Sequence, residues 1–425
     1  MERQGGGGAV RGMTRMIAGA VAAMVAAAGV VAAPAQAADG IVIWSDAAHA
    51  PVLRELLPDG YKGTPVTVVE KDMSTVRADL AGIGARNAPD ILWGDLTWTG
   101  ELVDAGLLLP LTLKKKVRAQ FRPNVLAGSV VAGKQFGLPV QISNLALVTN
   151  TTLVPTQPRT FAELSDLALK LAKNKKKVTI PFALAQGEGT SPWTTYPLFS
   201  GLGGYLFGRS SDGSLDVADV GLSNPVFRGN ATTLDGWNDS GLISSTLSAE
   251  QARKAFAEGK SPFWLAGPEE LQSLLDLTFA YRIGSIPPVT SSLKTSPLLT
   301  IQGFMLTTFA TKHGVEEQAE ALVSSLLARE AAQQKLAAAS GLYPANTKAA
   351  ESVATGGGRI RAIGNAGADG VPMPNVPQAG VLWEPYALAW LESTAGAKAT
   401  PAMKAFRAAQ RSALAALQGG TVPTE

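Results

Sequence analysis

Asp95 and Trp98 stand three residues apart in residues 88–111, A-P-D-I-L-W-G-D-L-T-W-T-G-E-L-V-D-A-G-L-L-L-P-L. A carboxylate accepts two hydroxyl hydrogen bonds at once and an indole face covers the apolar C–H side of a sugar ring, so the pair suits a polyhydroxylated ligand. An Asp in such a loop can equally serve as a helix cap, and a Trp beside glycine as a lid on the core. Asp46 follows the apolar run 41–44, Trp193 ends the polar loop 186–193, and Trp383 with Glu384 lies in residues 371–385, which hold four prolines, Pro372, Pro374, Pro377 and Pro385. Those prolines predict an extended segment that sets Trp383 rigidly before a helix, either as a sugar platform or as a plug between helices.

The elements that must position these residues follow from apolar periodicity. Runs 41–44, 66–69 and 90–93 read as buried strands, with helices over 51–57 and 74–85 between them; a helix from Trp98 stops at Gly106. This β-α-β-α-β order predicts a parallel sheet with helices on its faces, and places Asp46 and Asp95 at the carboxyl ends of strands, on one rim. Further strands are expected at 145–149, 180–185, 261–266 and 298–307. Helices are expected at 160–172, 197–205, 224–240, 249–258, 271–277 and 316–339, and as two patterns over 387–417 split near Gly396.

The 425 residues are too many for one core and suit two domains. Arg11 and Arg15 before the apolar run 17–33, then Ala35-Gln36-Ala37, have the layout of a cleaved secretory signal peptide, residues 1–37. That segment holds three of the 37 basic and one of the 34 acidic residues, leaving 34 against 33, so no charge-driven partner is implied. The basic runs 114–116 and 173–177 lack interleaved aromatics and read as solvated faces, not as nucleic-acid patches. The chain has no cysteine, which excludes thiol catalysis, disulfides and thiolate metal sites, and with them a lipid-anchoring cysteine; the mature chain is expected free outside the cytoplasm.

Gly128 with Gly133-Lys134 imitates a phosphate loop, but Gln135 stands where a Ser or Thr would hold magnesium, and an extended segment follows instead of a helix. There is no G-x-S-x-G and no H-E-x-x-H, and the two histidines, His49 and His313, are far apart and read as local surface groups. No cofactor or metal is expected.

Taken together, several segments resemble the maltose-binding-protein branch of bacterial extracellular solute-binding proteins, the receptors of ABC importers. The similarity runs through the mature chain: Pro89-Asp90-Ile91 with Ala105-Gly106-Leu107-Leu108, Gly133-Lys134 with Leu138-Pro139-Val140, Trp193 with Pro197-Leu198 and Gly203-Gly204-Tyr205, Ala255-Phe256 with Gly259-Lys260, Gly267-Pro268, and Met373-Pro374-Asn375-Val376-Pro377-Gln378 with Trp383. The last is the most specific. The resemblance implies an α/β two-lobe periplasmic-binding-protein fold of type II with about three interlobe crossings, near residues 142–145, 300–303 and 343–345. One lobe would comprise residues 38–142 with 303–342, the other 143–302 with 343–425. It further implies a monomer that is not an enzyme, that binds a carbohydrate in the cleft, and that closes by a hinge to present it to membrane permease subunits.

Asp46, Asp95, Trp98, Trp193 and Trp383 match the family's ligand-contacting positions. Three positions depart from the maltose receptors: Ser143-Asn144 replace a sugar-binding Glu, while Glu269 and Glu384 replace aromatics. The pocket implied is more acidic, less suited to stacking a maltodextrin, and compatible with a smaller or amino-bearing sugar. Two other functions are consistent with the residues alone: a secreted hydrolase using a carboxylate pair such as Asp95 and Glu269, and a receptor that reports ligand to a sensor.

Overall fold

The computed structural model describes residues 40–187, 190–353 and 358–419. The signal-peptide assignment lies outside them. The first lobe is built on β1 (Ile41–Ser45), β2 (Val66–Glu70) and β3 (Ile91–Asp95), with β1 paired in parallel to both others, as the β-α-β alternation predicts. The intervening helices are α1 (His49–Leu56) and α2 (Val76–Gly82). Helix α2 is shorter than expected from residues 74–85, because Gly82 and Gly84 follow its last buried residue, Leu80, and end the apolar stripe. After β3, a short 3-10 turn leads into α3 (Thr99–Asp104), and Gly106 takes the left-handed conformation (φ 68°) expected of a helix stop.

The phosphate-loop imitation resolves into a β-hairpin. Val130–Val131 pairs with Lys134–Gln135 across Ala132 and Gly133, both at positive φ, the backbone of a tight two-residue turn. The chain continues into β4 (Gly137–Ser143) and β5 (Ala146–Asn150), separated only by Asn144 and Leu145. At that point it changes cores. Ile142 packs with Ile43, Trp93 and Phe304 in one hydrophobic cluster, whereas Leu147 packs with Phe161, Phe199 and Phe263 in another.

The second lobe carries a three-stranded antiparallel sheet with β5 in the middle, flanked by β6 (Phe263–Ala266) and β7 (Tyr281–Gly284). Its helices are well signalled. Thr160 caps α4 (Phe161–Ala172) by accepting from the Glu163 N–H, and Asn224 caps α5 (Pro225–Asp239) by accepting from Val226 and Phe227. Ser248 and Gln251 form a reciprocal capping box at α6 (Ala249–Ala257). The expected strand at 180–185 does not form. Only Ala183 makes an isolated bridge, to Trp264, since the chain here folds as bends behind β6 and meets that strand at one residue.

β8 (Leu298–Thr307) returns the chain to the first lobe and runs antiparallel between β3 and β4 at the centre of its sheet. Its first residue, Leu298, packs in the second lobe's cluster and its next, Leu299, in the first lobe's, so this one strand is shared between cores. The long helix expected over 316–339 is broken. Glu316–Ala321 is α-helical, Leu322–Leu327 widens into π-helix, and α7 (Glu330–Ser340) restarts after Arg329 turns extended. The single period read from the sequence is interrupted where the Ala321 carbonyl accepts from the Tyr61 hydroxyl at 3.1 Å and from Ser325 Oγ at 2.5 Å, side-chain bonds that compete with the regular helical ladder.

β9 (Tyr343–Pro344) pairs with β4, and α8 (Gly358–Ala366) follows. Helices α9 (Gly380–Ser393) and α10 (Ala402–Leu417) then close the second lobe, where Phe406 stacks on Phe199 (centroids 5.3 Å apart, 15°) and meets Phe227 at 4.6 Å. Trp383 lies inside α9, not before it. The extended segment ends at Val376, and Pro377 opens a 3-10 turn that leads straight into the helix. Among the described residues no helix is long and apolar enough to cross a membrane.

Candidate functional site

A cavity of about 460 Å³ opens where the crossing segments meet the second lobe. Ser143, Asn144 and Leu298 form its crossing side, Trp193 and Thr194 come from the loop after residue 186, and Glu269 and Glu270 from the turn after β6. Of the nine residues singled out in the sequence, this cavity brings together Ser143, Asn144, Trp193 and Glu269. Asp46, Asp95, Trp98, Trp383 and Glu384 do not line it.

Trp193 is held out by its loop, not by its own packing. Trp390 donates its indole N–H to Gln186 at 2.5 Å, Thr194 Oγ1 donates to the Ala185 carbonyl at 2.9 Å, and the Thr195 hydroxyl lies 2.8 Å from that of Tyr386. With the loop pinned at three points to the second lobe, Trp193 stands 42% exposed. Its ring meets Trp383 edge-on at 6.3 Å. Trp383 is thus a supporting ring behind the cavity wall, itself edge-on to Tyr386 at 6.4 Å, and Glu384 is exposed on the outer side of α9.

Glu269 curls over Gly267, where a β-carbon would come within 2.2 Å of its Oε2, so a larger residue there would displace the carboxylate. Burial pushes the Glu269 carboxyl above the ordinary range, aided by the like charge of Glu270 and opposed by backbone N–H groups. Glu270 is in a different position. Arg253 Nε donates to both of its oxygens, at 2.8 and 3.1 Å, and Ser273 Oγ donates at 3.0 Å. Arg253 and Glu270 went unread in the sequence because Arg253 sits on a helix whose pattern marks it as surface, and nothing local pairs residues that far apart. Asn144 is buried, donating to the Ile363 carbonyl at 2.8 Å and so fastening the crossing to α8.

The first lobe presents its own polar rim. Asp46 Oδ1 accepts from the His49 backbone N–H (2.8 Å) and faces His49 Nδ1 (2.7 Å), while Oδ2 accepts from Trp93 Nε1 (3.0 Å). His49 Nε2 lies 3.2 Å from Gln141 Oε1, which also accepts from Ser340, and Gln141 donates to Gln302 at 2.5 Å. His49 is 1% exposed and stacked on Trp93 at 4.0 Å; His313 is likewise buried. Both histidines are therefore interior hydrogen-bonding groups, not surface ones. His49 has one local partner, Asp46, but what buries it, like the partners of His313, is remote in sequence. Asp95 does cap its loop, accepting from the Thr97 N–H and hydroxyl at 2.9 and 2.8 Å, and burial pushes its carboxyl up. It faces Gln302 across the sheet. Trp98 lies over Gly94, with Arg77 5.5 Å from its ring. Asp95 does not line the cavity that Glu269 lines.

The Asp46 carboxyl ends up below its ordinary value of 3.8: burial raises it, and the hydrogen bonds and charge of His49, with the Trp93 N–H, more than offset that. A group whose folded value is depressed adds stability that is present above its unfolded value and lost as pH falls through the folded one. Wild type should therefore exceed Asp46→Asn by about 1–2 kcal/mol in urea unfolding at pH 7, and the gap should narrow as the pH is taken down through and below the ordinary carboxylate range.

The bacterial extracellular solute-binding protein family matches residues 60–356, and the chain belongs to it. The galactooligosaccharide-binding protein of Bacillus subtilis is 24% identical over 379 residues, covering 87% of this chain and 88% of that protein. A maltooligosaccharide ABC transporter solute-binding lipoprotein of Streptococcus pneumoniae is 26% identical over 330 residues, 73% of each. Among solved structures, the extracellular solute-binding protein of Staphylococcus aureus in complex with maltose superposes with a TM-score of 0.77 at 20% identity, covering 90% of this chain and 98% of that one. The fold is the two-lobe periplasmic-binding-protein fold.

Proposed function

We propose that this protein is the extracytoplasmic receptor of an ABC importer, binding a mono- or oligosaccharide between its lobes and handing it to membrane permease subunits. The observation that carries this reading is the cavity at the lobe crossing, where an exposed indole, Trp193, stands beside carboxylate and amide groups in a family of solute binders. The named ligands of the relatives, galactooligosaccharide and maltooligosaccharide, support the carbohydrate class.

The proposed site comprises Ser143, Asn144, Trp193 and Glu269 on the cavity, with Asp46, Asp95 and Trp98 contributed by the first lobe and Trp383 and Glu384 by the second. The lobes we assign are residues 38–142 with 303–342 and residues 143–302 with 343–425; the change of core between Ile142 and Leu147 supports the first boundary, whereas Leu299, Ile301, Tyr343 and Ala345 pack with the first lobe and favour moving the other two outward. Binding without bond-breaking is the mode, by a monomer. Export through a cleaved leader at residues 1–37 belongs to the same reading.

A thermal-shift screen over mono- and oligosaccharides tests it. A sugar present at ~100 times its dissociation constant adds about 2.7 kcal/mol to folding stability, and the same sugar should reduce the radius of gyration in solution scattering as the hinge closes. A melting profile that no carbohydrate moves would remove the reading.

A further inference from the structure

From the charge balance of the cavity we infer that the preferred ligand is an amino sugar, bound with its ammonium group against Glu269 and a ring face on Trp193. This rests on the carbohydrate reading above and narrows it. The charged residues lining the cavity are Arg253, Glu269 and Glu270. Arg253 is committed to Glu270, whose two oxygens it bridges, so that pair is neutral and geometrically fixed. Glu269 is left as the cavity's one carboxylate without a cation among the described residues, its side chain exposed on the cavity wall and its carboxyl bent back over Gly267.

A carboxylate so placed is poorly served by hydroxyl groups alone, which supply hydrogen bonds but no opposite charge. An ammonium supplies both, with three donors and no acceptor. On the same wall the buried Thr190 hydroxyl has no hydrogen-bond partner among the described residues and is free to accept from a ligand N–H or donate to a ligand oxygen. Trp193 gives the other half of the recognition, since an exposed indole accepts the C–H face of a pyranose and favours a nearby cation over its ring. The cavity's size admits one to two sugar rings, and N-acetylation of the amine would both cancel the charge and add bulk at Glu269.

The experiment is titration calorimetry on the mature chain at pH 7 in low salt, with glucosamine and its β-1,4-linked dimer set against their N-acetylated forms and maltotriose. Wild type should bind the best amine-bearing sugar at least tenfold tighter than its N-acetylated counterpart. Glu269→Gln should bring that ratio close to one. Arg253→Gln, which releases Glu270 as a second uncompensated carboxylate, should raise the ratio above wild type. Each variant's melting profile without sugar checks that it folds; should Glu269→Gln not fold, the wild-type and Arg253→Gln ratios decide. Equal or tighter binding of N-acetylated sugars or maltotriose by wild type overturns the amino-sugar inference and leaves the carbohydrate reading standing. No heat with any sugar removes both.

Discussion

His313→Leu should lower stability by about 3–5 kcal/mol, the usual loss when one member of a buried charged or hydrogen-bonded pair is removed. The His313 Nδ1 lies 2.7 Å from Asp90 Oδ1, and Nε2 lies 2.7 Å from the Ala85 carbonyl oxygen. Asp90 is wholly buried, and its other oxygen accepts from the Val42 N–H at 2.7 Å. Burial already pushes the Asp90 carboxyl up, against the hydrogen bonds from Val42 and His313 that hold it down. Without the ring the carboxyl must stay charged with half its partners or take up a proton, and both are unfavourable inside the core. The cluster joins β1, the start of β3 and the helix at Phe309–His313, so the loss falls on the first lobe's sheet as a whole. Urea unfolding read by tryptophan fluorescence measures it. A loss under about 1 kcal/mol would show that the pair contributes little, while Asp90→Leu with His313→Leu should recover part of the loss.

Trp193→Ala should do the reverse, leaving stability nearly unchanged and weakening sugar binding by roughly 30- to 100-fold, about 2–3 kcal/mol, as expected when a ring-covering indole is cut away. The two effects separate because Trp193 is 42% exposed and held by its loop, so the fold does not lean on it, whereas it forms a wall of the cavity. Binding unchanged by the substitution would place the ligand elsewhere. A large drop in melting temperature would mean that the edge contact with Trp383 is structural.

Much of the fold is legible because its signals are local. The alternation of apolar runs with helical stretches marks β1 to β3, and farther on the Thr160, Asn224 and Ser248 caps lie in the sequence as the chain uses them. The failures share a cause. The apolar run 180–185 has the composition of a strand, yet a strand needs a free edge to pair with, and β6 is already paired to β5 on one side and offers Ala183 only one residue on the other. The π-helical interruption at Leu322–Leu327 arises from tertiary packing that no window of sequence contains. The site is legible in part: Trp193 and Glu269 are marked by loop position and residue type, and both stand on the cavity. Arg253 and Gln141 are not, because each acts through a partner brought near only by folding, and the local His49–Asp46 pair does not announce the remote Gln141 that completes it.

The shared strand β8 has a consequence for how the chain comes into being. The first lobe's sheet has a gap between β3 and β4 until residues 298–307 arrive, since Trp93 meets Phe304, and Pro139 meets Gly303, across it. All of the second lobe's sheet is synthesised before that gap is filled. A nascent chain therefore holds an unfinished core for most of its synthesis, and pairings so distant along the chain form slowly. Slow completion of this kind keeps a polypeptide threadable, the condition a translocation channel requires of its cargo.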